Sequence, residues 1–240
     1  MRRLPPLKFA PLLTRGLLPF NDMKPRVKIC CIANKQEAFD AIEAGASALG
    51  LVGAMPSGPG PISDEMIYAI ARLVPPPVAT FLLTSEQSAM EIIEHHRRTQ
   101  TNTIQIVDEL AGRDYEQIRK ALPNVKLVQV IHVADEKSID EALEIAESVD
   151  AILLDSGNPH LQIKELGGTG RRHDWKLSRK IVEAVEKPVF LAGGLNYENV
   201  REAVETVQPF GLDLCSGVRT DGKLDLTKLE KFFAEVEKTS

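Results

Sequence analysis

The chain has 240 residues, 43% apolar and 26% charged, with a net charge of −5. This is apolar material for one large core or two small ones, and the negative balance gives no electrostatic reason to expect nucleic acid or an anionic membrane as partner. Three cysteines, two of them adjacent, make no disulfide framework and fit a reducing, cytoplasmic setting, and no apolar run approaches the length of a membrane-spanning helix.

The first two dozen residues differ from the rest. Arg2, Arg3, Lys8 and Arg15 meet no acid before Asp22, and Pro5, Pro6, Pro11 and Pro19 interrupt any regular element. The stretch is poor in serine and rich in proline, which fits a transit peptide badly. Residues 1–24 are expected to be a basic, proline-rich extension without fixed structure, with Met23 an alternative initiator. A single domain is expected over 25–240.

From Val27 onward, strand-like runs alternate with amphipathic helical stretches. Val27–Cys31 is a short apolar run. Asn34 is a suitable N-cap for a helix through Ala44, which Gly45 stops. Ala48–Val52 is a second strand, and a Gly/Pro-rich loop from Pro56 to Pro61 leads to a helix opening at Ser63-Asp-Glu65 and ending before Pro75. Val78–Leu83 precedes a helix capped by Ser85 and running to about Arg98, on which His95 to Arg98 read as a solvated face. Thr103–Val107 precedes a helix from about Asp114 to Leu122. Val125–Ile131 precedes one from Lys137 to Ser148. Ala151–Leu154 ends at Asp155 and, after a longer loop, precedes a helix from Trp175 to Val185, with Trp175 as its anchor in the core. Pro188–Leu191 precedes a helix across Glu198–Val207, and Gly211–Leu214 precedes a last helix from Leu226 to Val236.

Eight short strands separated by amphipathic helices indicate a parallel sheet covered by helices. A doubly wound open sheet competes, but the count of eight favours an α/β fold of the (β/α)8 TIM-barrel type in a single domain. In a barrel the C-terminal strand ends face the active site. That rule selects Cys30 or Cys31, Asp155, Asp213 and Cys215. A thiol and a carboxyl flanking a ligand from opposite sides can serve as base and acid.

Three glycine-bearing stops follow strands six, seven and eight: Leu166-Gly-Gly-Thr-Gly170, Leu191-Ala-Gly-Gly-Leu195 and Cys215-Ser-Gly-Val-Arg219. Glycines let backbone N–H groups approach a ligand closely, and helix N-termini favour an anion. Together they suggest a cradle for one phosphate, built from Gly168, Thr169, Gly170, Gly193, Gly194, Ser216 and Gly217. His132, His160 and His173 lack metal-ligand spacing, so no metal is expected.

Five fragments in order carry a resemblance. Lys28-Ile-Cys-Cys-Ile-Ala-Asn34, Asp150-Ala-Ile-Leu-Leu-Asp155, Leu166-Gly-Gly-Thr-Gly170 with Asp174-Trp175, Leu191-Ala-Gly-Gly-Leu-Asn196 and Asp213-Leu-Cys-Ser-Gly-Val218 look like the phosphoribosylanthranilate isomerase family. The resemblance runs from Val27 to the C-terminus. It implies a (β/α)8 barrel of tryptophan biosynthesis that opens the ribose ring of N-(5-phosphoribosyl)anthranilate and isomerises it, an Amadori rearrangement without metal or organic cofactor. It implies Cys30 as the general base at the sugar C2, Asp155 as the general acid at the ring oxygen, and the glycine stops as the phosphate loops. The expected partner is a small-molecule sugar phosphate, with the protein a monomer or homodimer.

A thiol base gains from positive surroundings and a carboxylic acid from burial, so the two roles call for opposite shifts. Lys28 lies on the strand face of Cys30 and either supplies that charge or pairs with a core carboxylate. Cys31, by alternation, is expected to point toward the helices and pack, and packing is also expected of Cys215. By the resemblance these two replace a glycine and a serine. Gly60 stands where the family has the arginine that holds the anthranilate carboxylate, and Val107 where it has a histidine. Arg219 is the first replacement cation, with Arg171 and Arg172 as alternatives, and Asp213 and Lys28 are further possible substrate contacts. Two alternatives stay open: a diverged barrel isomerase or lyase acting on another sugar phosphate, and a non-catalytic phosphate-ligand-binding paralogue.

Overall fold

The computed structural model describes residues 24–157, 170 and 172–239. Among them eight parallel strands close into a barrel in sequence order: β1 (Arg26–Ile29), β2 (Ala48–Val52), β3 (Ala79–Thr84), β4 (Thr103–Ile106), β5 (Lys126–His132), β6 (Ala151–Asp155), β7 (Val189–Leu191) and β8 (Gly211–Leu214). The helices between and after them are α1 (Lys35–Glu43), α2 (Asp64–Ala71), α3 (Ala89–Thr99), α4 (Tyr115–Ala121), α5 (Lys137–Ala146), α6 (Trp175–Ala184), α7 (Val200–Val207) and α8 (Leu226–Val236). The expected basic extension lies outside the described residues. None of the described helices is long and apolar enough to cross a membrane.

Pleating sorts each strand into two faces. On β6, Ile152 and Leu154 join the layer between barrel and helices, whereas Ala151 and Leu153 belong to the barrel interior. Asp155 follows two residues after Leu153 and therefore points inward. The same alternation turns Val27 and Ile29 outward and Lys28 inward on β1, and Leu212 and Leu214 outward and Asp213 inward on β8. Closure of β8 against β1 sets Lys28 opposite Asp213 in register.

Helix starts follow local chemistry. Asn34 accepts from the Glu37 amide, Ser63 from Met66 and Asp114 from Gln117, each satisfying a first-turn donor. The cap of α3 is Ser88 rather than Ser85, whose hydroxyl instead donates to the Ala54 carbonyl at 3.2 Å. The solvated reading of His95 and His96 is also corrected. His95 is buried between Thr84 Oγ1 (2.9 Å) and Asp64 Oδ1 (3.1 Å), and His96 bonds the Thr101 carbonyl at 2.7 Å. A 3.6-residue period places two of four consecutive residues against the barrel and leaves Arg97 and Arg98 outside. His95 thereby ties the end of β3 to the start of α2 and underpins the loop after β2, where a side chain at Gly53 would strike its ring. Trp175 does anchor α6 in the core.

Three elements escaped the periodicity, the first a 3-10 turn at Ala111–Arg113 before α4. Ser216–Val218 forms one 3-10 turn directly after β8, and a small hairpin, β9 (Arg219–Thr220) with β10 (Lys223–Leu224), separates it from α8.

Candidate active site

A cavity enclosing roughly 680 Å³, its open mouth included, sits at the C-terminal ends of the strands. Its lining includes Cys30 and Cys31, Ser57, Gly58 and Pro59 of the loop after β2, and Gly170, Gly193, Gly194, Cys215 and Ser216. Asp155, Asp213 and Gln105 line it as well.

The glycine lining is built by backbone. Gly193 and Gly194 both lie at positive φ (85° and 65°), a turn few side chains tolerate, and Asn199 holds it by donating to the Gly194 carbonyl at 2.9 Å and accepting from the Asn196 amide at 3.0 Å. A Cβ on Gly170 would stand 3.5 Å from Ser216 Oγ, and one on Gly217 would collide with the Leu195 carbonyl. Gly170 and the loops after β7 and β8 thus converge on one spot. Gly168, Thr169 and Arg171 lie outside the described residues.

Cys30 follows β1 and keeps its alternation, so its side chain faces inward and is 6% exposed. Gly50 on β2 makes room for it: a Cβ there would be 2.8 Å from Cys30 Sγ and 3.0 Å from Lys28 Nζ. Lys28 is fully buried, 2.9 Å from Asp213 Oδ1 and 5.2 Å above the Phe81 ring. Burial is the largest effect and works against its charge, but Asp213, Cys30 and Cys31 together outweigh it and hold the ammonium above its usual pKa. Of the two roles open to Lys28 the structure selects the core ion pair, and only Asp213 of that pair lines the cavity.

Burial pushes the Asp155 carboxyl above the usual aspartate range, and the nearby Asp213 charge adds to it. The Ser156 amide (2.7 Å from Oδ1), His132 and Lys28 oppose that rise without cancelling it. His132 stands beside Asp155 in register on β5 and reaches the Val107 carbonyl with Nε2 at 3.2 Å. An acid buried in this way keeps its proton to higher pH than a free aspartate.

Two expectations fail at the mouth. Arg219 does not enter the cavity as a replacement cation. Its guanidinium grips Glu37 with both terminal nitrogens (3.2 and 2.9 Å) and donates to the carbonyls of Cys30, Cys31 and Gly222. A planar fork matches this carboxylate, and once committed there it is closed to a ligand. Among the described lining residues there is no arginine or lysine. Arg172 stacks on Trp175 at 4.4 Å and pairs with Glu202 at 3.5 Å, away from the lining.

Cys31 does not point toward the helices. β1 ends at Ile29, and Cys31 adopts φ 61°, which rotates its side chain into the cavity wall. Gly60, itself at φ 82°, packs against it: a Cβ on Gly60 would stand 2.5 Å from Cys31 Cβ. A larger residue at position 60 would therefore displace Cys31, so the two departures are coupled. Cys215 likewise lines the cavity, with Sγ 2.7 Å from Cys31 Sγ.

Gln105 is the lining residue that sequence reading passed over. It is 3% exposed, and its Oε1 is buried without a hydrogen-bond partner. Its inward position on β4, two residues before Val107, was the available signal.

Residues 27–235 match the family model described as N-(5'phosphoribosyl)anthranilate (PRA) isomerase. The chain belongs to this family. It is 34% identical to the N-(5'-phosphoribosyl)anthranilate isomerase of Methanosarcina acetivorans over 92% of this chain and 97% of the relative, and 34% identical to that of Nostoc punctiforme over 88% and 98%. Among solved structures, the isomerase of Thermotoga maritima superposes with a TM-score of 0.75 at 31% identity, covering 89% of this chain and 98% of that one. Another family structure, in complex with reduced 1-(o-carboxyphenylamino)-1-deoxyribulose 5-phosphate, superposes with a TM-score of 0.72 at 29% identity, covering 89% and 98%. The barrel is thus shared with solved members of the family over 89% of this chain.

Proposed function

We propose that the protein isomerises N-(5'-phosphoribosyl)anthranilate by acid–base chemistry, with Cys30 as base and Asp155 as acid. The observation that carries this reading is that both side chains line one cavity together with Gly170, Gly193, Gly194 and Ser216. A phosphate bound to the backbone amides around Gly170, Gly193, Gly194, Ser216 and Gly217 would hold the sugar's C5 end and turn C1 and C2 toward Asp155 and Cys30. Asp155 donates its proton to the ring oxygen as the C1–O bond opens, leaving an iminium at C1. Cys30 then takes the proton from C2, and the resulting enolamine becomes the ketone after proton transfer. The raised Asp155 pKa supplies the protonated acid that the first step requires.

Positioned acid–base groups contribute about 10²–10⁴-fold each. Cys30→Ala and Asp155→Asn should each lower kcat by that order while the protein stays folded. The rate, followed by loss of the substrate's fluorescence, should fall as pH rises through the Asp155 pKa, and this limb should vanish in Asp155→Asn. Near-wild-type turnover in either variant would remove the assignment. The absence of a cation among the described lining residues favours one competing reading, a barrel isomerase for another sugar phosphate. Turnover of another sugar phosphate, with none of phosphoribosylanthranilate, would select it.

A further inference from the structure

All three cysteines of the chain meet at the cavity mouth, and two of them have no part in the proton transfers. Cys31 Sγ and Cys215 Sγ lie 2.7 Å apart, inside the van der Waals separation of two sulfurs and outside a bond. Cys215 is inward by strand alternation. Cys31 reaches it only through a left-handed backbone that costs a residue with a Cβ on the order of 1–2 kcal/mol. A glycine would adopt the same turn without that cost, so the thiol is what the strain holds in place.

We propose that Cys31 and Cys215 form a redox-active dithiol, which hydrogen peroxide converts to a disulfide that ties the loop after β1 to the loop after β8 and stops turnover. The Cys215 sulfur attacks one peroxide oxygen. The O–O bond breaks, the second oxygen leaves as hydroxide and takes up the thiol proton as water, and Cys215 becomes a sulfenic acid. The Cys31 sulfur then displaces that hydroxyl, the S–S bond forms as the S–O bond breaks, and the Cys31 proton leaves with the second water. Two thiols lose two electrons and one peroxide becomes two waters.

The surroundings favour this order. Cys215 is half-buried and open to the cavity, whereas Cys31 is 5% exposed. The hydrogen bond with Cys31, aided by the Arg219 charge and opposed by burial, holds Cys215 below the usual thiol range, whereas Cys31 is held well above it. The attacking and resolving roles are therefore separated. Cys31 also donates weakly to the Pro59 carbonyl at 3.5 Å, and bonding to Cys215 would draw it off that loop. Cys30 is its chain neighbour and Ser216 follows Cys215, so the bridge would constrain both the base and the glycine cradle.

The arrest of turnover rests on the isomerase reading, whereas the thiol chemistry does not, and the two are read separately. Purified protein is treated with hydrogen peroxide, alkylated and digested with trypsin. Cleavage after Lys28 and Lys35 and after Arg201 and Arg219 gives peptides 29–35 and 202–219. These should appear cross-linked, with fragmentation placing the bridge on Cys31 rather than Cys30. Isomerase activity of the same sample should fall at least tenfold and return with dithiothreitol. Cys31→Gly, which suits the left-handed turn, and Cys215→Ser should form no bridge and lose the dithiothreitol-reversible component. The proposal is overturned if Cys31 and Cys215 stay alkylatable, if the bridge joins Cys30, if the bridged protein keeps full activity, or if Cys31→Gly shows the same reversible loss.

Discussion

Replacing Arg219 by methionine tests whether the loop after β1 is held by the clamp described above. In the folded protein Arg219 is 7% exposed and Glu37 is 11% exposed at the side chain. Glu37 also accepts from the Ala33 amide (3.0 Å) and the Leu224 amide (3.1 Å), so it keeps two donors when the guanidinium is removed but loses its counter-charge. Breaking a buried pair from one side costs about 3–5 kcal/mol. With a urea m-value of about 3 kcal/mol/M for a chain of this size, the midpoint should drop by about 1–1.7 M. The carbonyls of Cys30 and Cys31 lose their donor in the same variant, so kcat should fall as well through displacement of Cys30. Adding Glu37→Gln should cost less than the sum of the single changes, because the charge left uncompensated is then gone. The pH dependence has a definite sign. Burial raises the Glu37 pKa, but Arg219 and the two amides outweigh it and hold it below the usual value. The pair therefore stabilises the fold above the unfolded glutamate pKa, near ~4.3, and that contribution is lost as pH falls through the lower folded value. The difference between wild type and Arg219→Met should narrow there. A destabilisation under about 1 kcal/mol at pH 7, or strict additivity in the double variant, would refute the clamp.

Two further outcomes follow from single sites. Gly50→Ala places a methyl against Cys30 Sγ and Cys30 Cα, and its overpacking cost should be about 1–3 kcal/mol in urea, with a larger fall in kcat than rise in KM. An unchanged kcat would show that Cys30 does not need its present position. His173 is pushed down to about 4 by burial, with Asp174 opposing, and its Nε2 lies 2.6 Å from Ser178 Oγ. The unfolded chain then binds the extra proton between about pH 4 and 6.5, so stability falls on acidification through that window, by at most about 3 kcal/mol. At pH 5 the wild type should have lost several degrees more of its pH 7 Tm than His173→Gln does, and equal losses would contradict the buried neutral imidazole.

The strands of the barrel were readable because inside and outside alternate every second residue. Ala151–Leu154 with Asp155 at its end, Gly211–Leu214 and the last helix Leu226–Val236 came out with matching boundaries. The cap at Asn34 and the helix starts at Ser63 and Asp114 were readable because a cap acts on an amide within its own turn, whereas the α3 cap fell on Ser88 rather than Ser85. The inward positions of Cys30, Asp155 and Asp213, and the placing of the described glycines at the strand ends, follow from the same local rules.

Most of what failed was decided by partners far away in the chain. Arg219 looked like a free cation after β8, yet it meets Glu37, 182 residues earlier, because closure of β8 against β1 brings both to one corner. His95 and His96 looked solvated beside two arginines, until α3 turned that edge toward Thr84 and Asp64. Lys28 had two possible roles and closure against β8 selected the ion pair. Cys31 left its strand face because one positive φ ended the alternation that the reading relied on. By itself the sequence determined the eight units, the inward acid and thiol, and the phosphate-suited glycines, because these rest on periods of two and 3.6 residues and on single turns. Only the tertiary structure decided which charges neutralise one another and which thiols touch, because a side chain's partner is selected by barrel closure, which no local period encodes.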